Sequence, residues 1–449
     1  MLILVRLPAF FYGVPLLIPE LKWQLTGEQL AAGNLLYVDV LDNVSPFSAI
    51  VYAVIHFFVG RSTTAYHVLA FILTAIQIFY FTLLTHKKGL FKERNYVPGL
   101  ILILFYSLSF DFYTLSPALM ANLFLLLAFS TFLSQIEKYG ASDEVFEIGV
   151  YIGIAFLFYP PTFIFFLWII LALNLFTGIK LRQQFLVIFG LLFPLAVVAI
   201  WYFIDGHFAN FIQYFLWQVF EKRQFILNDF KGLLSSFIFP LIIGVLGFFV
   251  VLGSSKYNNF QTRAQQIILL WFVSGILSVA LMPYLAPMQF MLFVIPLAYF
   301  AILYFENFKK KWLAELIFIV LFLGVLLNNY QAFVPRLSKI NLSKLDKLRL
   351  ENKNKNFDIR DKKVLVLGND LTPYLYNKTA TPYINWSLSR SSFVNIDNYE
   401  NVIDIIQNFE KEAPEYIFDQ ENLLPKVFQR IPSLNNRYTK ISDGLYRLK

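Results

Sequence analysis

The chain contains no cysteine, which excludes disulfides and thiolate metal sites. Histidine is scarce: His56, His67, His86 and His207 are scattered without ligand spacing. A four-histidine iron centre would need all of them, including His86 beside Lys87-Lys88. Charge is scarce too, at 15% of 449 residues, where a soluble domain carries roughly 25%. The shortage is uneven. Residues 1–334 hold repeated apolar runs of about 20, enough to cross a hydrocarbon core, whereas residues 335–449 have ordinary soluble composition. The net charge of +8 lies largely in short loops, where Lys and Arg set topology. It is not a nucleic-acid footprint, and no nucleic-acid partner is expected.

What is present is a series of apolar segments. Spans are expected at 2–19, 64–85, 97–115, 117–136, 146–160, 162–178, 183–204, 232–253, 265–282, 284–305 and 312–330, about eleven in all. Met1–Pro19 lacks a small-residue cleavage site and reads as a first span, not a signal peptide. Tyr159-Pro160-Pro161 cannot sit inside a helix, so 146–178 reads as two crossings. With the N-terminus cytoplasmic, the inner loops carry twelve Lys and Arg against five outside, as the positive-inside rule requires. An odd number of spans then places the C-terminus outside. The expected location is a bacterial inner membrane, multi-pass, with an extracytoplasmic C-terminal domain.

Two outer loops are long, 20–63 and 205–231, and rich in aromatics. Glu28–Leu36 and Pro46–Gly60 carry helical patterning; the latter is too short to span and reads as an interfacial helix. The transmembrane region is thus 1–334, followed by a polar linker at 335–358 and an α/β domain at 359–449. In that domain Lys363–Asp370 reads as a buried strand and turn, Val402–Lys411 as an amphipathic helix, Pro414–Asp419 as a second strand and Tyr438–Leu448 as a strand or hairpin. The Gly368 turn has neither GxGxxG nor P-loop spacing, so no nucleotide site is assigned there. The expected class is an α-helical polytopic membrane protein with a small C-terminal α/β domain.

The chemistry concentrates in Gly33–Pro46, where Asp39 and Asp42 stand three apart among Leu35, Leu36, Val38, Val40, Leu41 and Val44. Most carboxylates at a membrane surface only cap helices or sit in water. In a packed apolar loop at the outer boundary, however, a carboxylate can deprotonate an acceptor hydroxyl or amine. It can also hold a divalent cation, Mg or Mn, against a lipid-linked phosphate.

Gly33-x3-Tyr37-x-Asp39-x2-Asp42-x3-Pro46 resembles the first outer loop of the GT-C membrane glycosyltransferases. Those include bacterial relatives of protein O-mannosyltransferases and the aminoarabinose transferases of lipid A. Phe57-Phe58-Val59-Gly60, Leu115-Ser116-Pro117, Gly153 to Pro161, Tyr284-x2-Pro287-x-Gln289-x6-Pro296 and Pro414 to Asp419 extend the resemblance in order along nearly the whole chain. It implies that Asp39 is a base or metal contact, that Asp42 assists, and that a polyprenyl-phosphate sugar donates to a lipid, glycan or protein acceptor. Asn43-Val44-Ser45-Pro46 lacks the Lys or His that commonly precedes the proline in that superfamily, and Gln289 stands where a basic residue is frequent. The missing positive charge is therefore sought at Lys222 and Arg223 of the second outer loop, where Arg could bind phosphate bidentately. Tyr37, His207, Asp111, Tyr284 and Gln289 are accessory candidates. Two other readings compete: a catalytically silent scaffold of the same fold in an envelope or export complex, and a transporter or lipid flippase. The latter predicts midplane charges and paired broken helices, and the sequence shows neither.

Overall fold

The computed structural model describes residues 1–137, 142–178, 180–220, 230–252, 257–308, 310–330, 348–350, 359–380 and 382–449. Among them, eight helices are long and apolar enough to cross a membrane: Thr63–Lys88, Pro117–Ile136, Pro160–Thr177, Leu181–Ile204, Gly232–Leu252, Asn259–Leu281, Pro287–Glu306 and Lys311–Asn329. Three of the expected spans form shorter helices. Leu2–Tyr12 stops at Gly13, whose φ of 72° lies in the left-handed region. Val97–Phe105 gives way to Ser107-Leu108-Ser109 and a 3-10 turn at Phe110–Tyr113. Ser142–Phe158 ends ahead of Pro160-Pro161, which open a 3-10 turn leading into Phe165–Thr177. The protein is an α-helical polytopic membrane protein with a small C-terminal α/β domain.

The chain forms two compact units. The first comprises the described residues of Met1–Val14, Thr64–Trp201 and Ile226–Lys347. Its Pro287–Glu306 segment is the best covered, with 83% of its apolar window buried, while Lys311–Asn329 has 17%. An apolar helix so little covered by protein faces lipid. The 142–158 and 181–204 helices meet through glycines: a Cβ on Gly190 would strike the Phe146 carbonyl oxygen, and one on Gly149 the Val187 carbonyl oxygen. Such small-residue seams let membrane helices approach by their backbones. Trp168 and Trp271 fill the centre at 5.2 Å between ring centroids, and their indole N–H groups donate to Ile267 O and Leu292 O. The same unit holds a buried polar chain. Gln77 donates to Leu119 O, and Tyr106 accepts from Asn122 Nδ2 at 2.7 Å while donating to Gln77 Oε1 at 2.5 Å.

The second unit comprises Pro15–Thr63, Tyr202–Phe225 and Leu348–Lys449 over their described residues. Its sheet has the order β2-β1-β3-β5-β4, with β1 Lys363–Leu367, β2 Lys378–Thr379, β3 Tyr416–Asp419, β4 Tyr438–Ser442 and β5 Leu445–Leu448. β1 pairs parallel with β2 and β3; β5 pairs antiparallel with β3 and β4. The helices Trp386–Val394 and Tyr399–Lys411 lie between β2 and β3 in the chain, as a parallel pair requires. The Tyr399–Lys411 helix buries Ile405 and Phe409 against a core with Leu365, Ile417 and Tyr438. In the same unit the helices Ile18–Ala31 and Pro46–Val59 stack Trp23 on Tyr52 at 5.6 Å. Pro46–Val59 buries Ala49, Tyr52 and Ile55 but leaves Ile50, Val54, Phe57 and Phe58 exposed along its other face. An apolar stripe of that kind suits a lipid boundary.

Candidate functional site

The Gly33–Pro46 loop is folded tightly enough to fix its side chains. Tyr37 stands at φ 69°, a conformation uncommon for any non-glycine residue and costly for a bulky one. It is held there from several sides. Its N–H donates to Val40 O at 2.9 Å and its hydroxyl to Val44 O at 2.7 Å. Its ring meets Tyr202, Phe211 and Phe215, with centroids 6.0 to 6.5 Å away. Asn210 Nδ2 donates to Tyr37 O and the Tyr202 hydroxyl to Leu36 O. Burial, with Tyr202 and Asp42 nearby, pushes the Tyr37 phenol well above its usual range, so it remains a neutral donor.

The loop is sewn to the C-terminal domain within this unit. Leu41 N–H donates to Pro382 O at 2.9 Å, and Asp42 is 1% exposed. Its carboxylate accepts from Thr26 Oγ1 at 2.6 Å, Asn385 Nδ2 at 2.9 Å and the Asn43 N–H at 2.8 Å. Lys22 stands close by. Burial lowers its pKa, and the attraction of Asp42 only partly opposes that.

Asp39 is different in kind. Its Oδ2 accepts the Leu35 N–H at 2.9 Å, and its Oδ1 takes the Lys411 ammonium at 2.5 Å. The side chain keeps 23% of its surface exposed. Burial works to raise its pKa, but the Lys411 and Leu35 hydrogen bonds and the charges of Lys411 and His207 outweigh it. The carboxyl is held below its ordinary value and stays ionised. Lys411 is the last residue of the Tyr399–Lys411 helix, where a cation also suits the helix dipole.

The sequence candidates thus fall into two groups. Asp39, Asp42, Tyr37 and His207 share the second unit, with His207 Nε2 3.9 Å from Asp205 Oδ2. Asp111, Tyr284 and Gln289 belong to the first. There, fully buried Asp111 accepts the Met288 N–H at 2.7 Å and so ties the 110–113 turn to the segment beginning at Pro287. Buried Gln289 follows directly, and Tyr284 stands in the turn just before. Lys222 and Arg223 lie outside the described residues. Sequence reading missed Lys411 and Asn385, which contact the two acids from far along the chain, and Thr26, 16 residues from Asp42. Among the described residues no three His, Asp or Glu side chains cluster as a metal site. The carboxylate oxygens of Asp39 and Asp42 each accept at least one hydrogen bond from within the protein.

The fold places the protein in a class. It resembles the Archaeoglobus fulgidus oligosaccharyltransferase in its apo form, with a TM-score of 0.50 and 12% identity over 93% of this chain and 68% of that one. It also resembles the archaeal oligosaccharyltransferase AglB of Archaeoglobus fulgidus, solved with an inhibitory peptide and a dolichol-phosphate, at a TM-score of 0.52 and 11% identity. That alignment covers all of this chain and 73% of the other. The class is therefore that of membrane proteins with a GT-C-type fold. Residues 44–338 match a family of unknown function, DUF6427, and the chain belongs to that family. No curated protein matches it in sequence.

Proposed function

We propose that the protein is a GT-C-type glycosyltransferase that moves a sugar from a polyprenyl-phosphate carrier to a lipid, glycan or protein acceptor on the outer side of a bacterial inner membrane. The observation that carries the reading is Asp39: a reachable carboxylate, kept ionised, on a loop whose strained Tyr37 is clamped from several sides. The fold supports the class, and the dolichol-phosphate bound to AglB is consistent with a lipid-phosphate donor. In this reading Asp39 takes the proton from an acceptor hydroxyl or amine. The acceptor attacks the anomeric carbon, the bond to the carrier phosphate breaks, and the carrier leaves as its phosphate. Lys411 is a cation suited to that leaving charge and stands in for the missing Lys of the loop. Asp42, with its carboxylate engaged by three donors, positions the loop and does not react. No step is routed through a metal.

The test is transfer itself. Membranes bearing Asp39→Asn should lose products from the surface glycans and lipids at unchanged protein level; unchanged products would refute the proposal.

The catalytically silent scaffold is favoured by one observation. Both acids are paired within the protein, and neither lines the two grooves of this unit that share Glu28, His56 and Lys378. A stable co-purifying partner, together with normal surface products from Asp39→Asn, would establish that reading.

A further inference from the structure

The start of the Leu181–Ile204 helix carries a groove that the reading above does not use. Its volume is about 470 Å³, and it is lined by Arg182, Phe185, Leu186 and Phe189. Those positions recur at i, i+3, i+4 and i+7 and so stand on one face of the helix. The face turns outward. Phe185 and Phe189 are 58% and 63% exposed, and only 33% of the helix's apolar window is buried. One cation thus heads a bare apolar ladder. An arginine that only sets topology needs no such groove beneath it.

The charge at this end has no internal complement. Arg182 is exposed, and among the described residues no carboxylate pairs with it. Lys180, two residues ahead, is exposed as well and adds a second positive charge. The acids of the adjoining 142–158 helix, Asp143, Glu144 and Glu147, do not line the groove, and Glu147 accepts the Tyr151 hydroxyl at 2.6 Å. The complement is therefore an occupant with an anionic head and an apolar tail, in that order along the helix. A guanidinium matches phosphate oxygens bidentately, and basic pockets at the ends of membrane helices take anionic headgroups. Arg182 and Phe189 lie about 10 Å apart along the helix axis, within the roughly 15 Å that one leaflet's hydrocarbon spans. A phosphodiester on Arg182 can thus lay an acyl chain along both phenylalanines.

We propose that this groove binds one phospholipid with a net negative headgroup, its phosphate on Arg182 and an acyl chain along Phe185, Leu186 and Phe189. Lys180 adds attraction from beside the groove. Asp39 belongs to the other compact unit, and the lipid site does not depend on glycosyl transfer.

The experiment presents the full chain, in a neutral maltoside detergent, with equimolar dioleoylphosphatidylglycerol and dioleoylphosphatidylcholine. Native mass spectrometry counts the lipid retained. Wild type should hold one phosphatidylglycerol in preference to phosphatidylcholine. Lys180→Gln/Arg182→Gln should bind it about tenfold more weakly or worse, as expected for lost charge-assisted contacts. Phe185→Ala/Phe189→Ala should weaken it with both cations in place. All four side chains are exposed, so the variants should fold, and unchanged melting temperatures verify it. Lys311→Gln removes an equally exposed cation from the start of the Lys311–Asn329 helix and should leave binding unchanged. The proposal is overturned if wild type shows no preference, or if either double variant binds as wild type does. It is also overturned if Lys311→Gln weakens binding equally, which would mean surface charge alone, or if glycerol 3-phosphate displaces the lipid, which would mean a site for free phosphate.

Discussion

Two aspartates three residues apart look alike in the sequence, and their surroundings make them opposites. Asp42 is buried among donors, so Asp42→Ala removes an acceptor shared by Thr26 Oγ1, Asn385 Nδ2 and the Asn43 N–H and should cost about 1–3 kcal/mol, read as a lower melting temperature. Asp39 is held by a partly exposed pair, and Asp39→Asn should shift stability by less than about 1 kcal/mol. In the proposed role the same change lowers transfer by about 10²–10⁴-fold. The pH dependence of Asp39 has a definite sign. Its folded pKa is depressed, so the pair stabilises above the unfolded carboxyl value of about 3.9 and is lost as pH falls through the lower folded value. Lys411→Met removes the largest of the influences that depress it, so the Asp39 pKa rises from its wild-type position. The acid limb of the transfer profile should move to higher pH, and a profile that stays in place would remove Asp39 from the reaction. The sequence could point to Asp39 because a carboxylate amid apolar neighbours is visible locally. It could not point to Lys411, 372 residues away, because no pattern in a single chain records so distant a pairing.

At the scale of elements, what was legible followed hydrophobic period and punctuation. The Pro46–Val59 helix, the break at Pro160-Pro161, β1, β3 and the hairpin of β4 and β5 all stand within a few residues of where apolar runs and turn residues put them. What escaped had little intrinsic signal. β2 is only Lys378-Thr379, defined by its partner β1. The Trp386–Val394 helix carries Ser387, Ser389, Ser391 and Ser392, residues that favour caps and turns over helix interiors. The Ile18–Ala31 helix begins ahead of the pattern seen at Glu28, because Pro19 occupies a first-turn position where its missing N–H costs nothing. The glycine seam between the 142–158 and 181–204 helices is testable at this scale. Gly190→Ala forces its Cβ onto the Phe146 carbonyl oxygen and should lower stability by about 1–3 kcal/mol in detergent. Gly149→Ala presses on the same crossing, where Gly190 Cα lies 3.0 Å from the added carbon. The double variant should therefore cost less than the sum of the two, as coupled sites do.

At the scale of the whole molecule, the absence of cysteine becomes an experimental asset. The topology proposed from loop charge puts the C-terminal domain outside and the loop after the Thr63–Lys88 helix inside. Ser391 is exposed on the C-terminal domain, and Glu93 is exposed in that loop. With no native thiol to block, Ser391→Cys and Glu93→Cys each provide a single reporter. In intact spheroplasts a membrane-impermeant maleimide should label Ser391→Cys and spare Glu93→Cys, which should react only after lysis. The opposite pattern would invert the topology and put Asp39 and Lys411, both in one compact unit, on the cytoplasmic side. Transfer outside the cell would then be impossible whatever the chemistry of Asp39. The labelling pattern therefore decides the side of the membrane before any glycan is analysed. Labelling of both thiols without lysis would instead put both sites on the outer side and refute the topology proposed from loop charge.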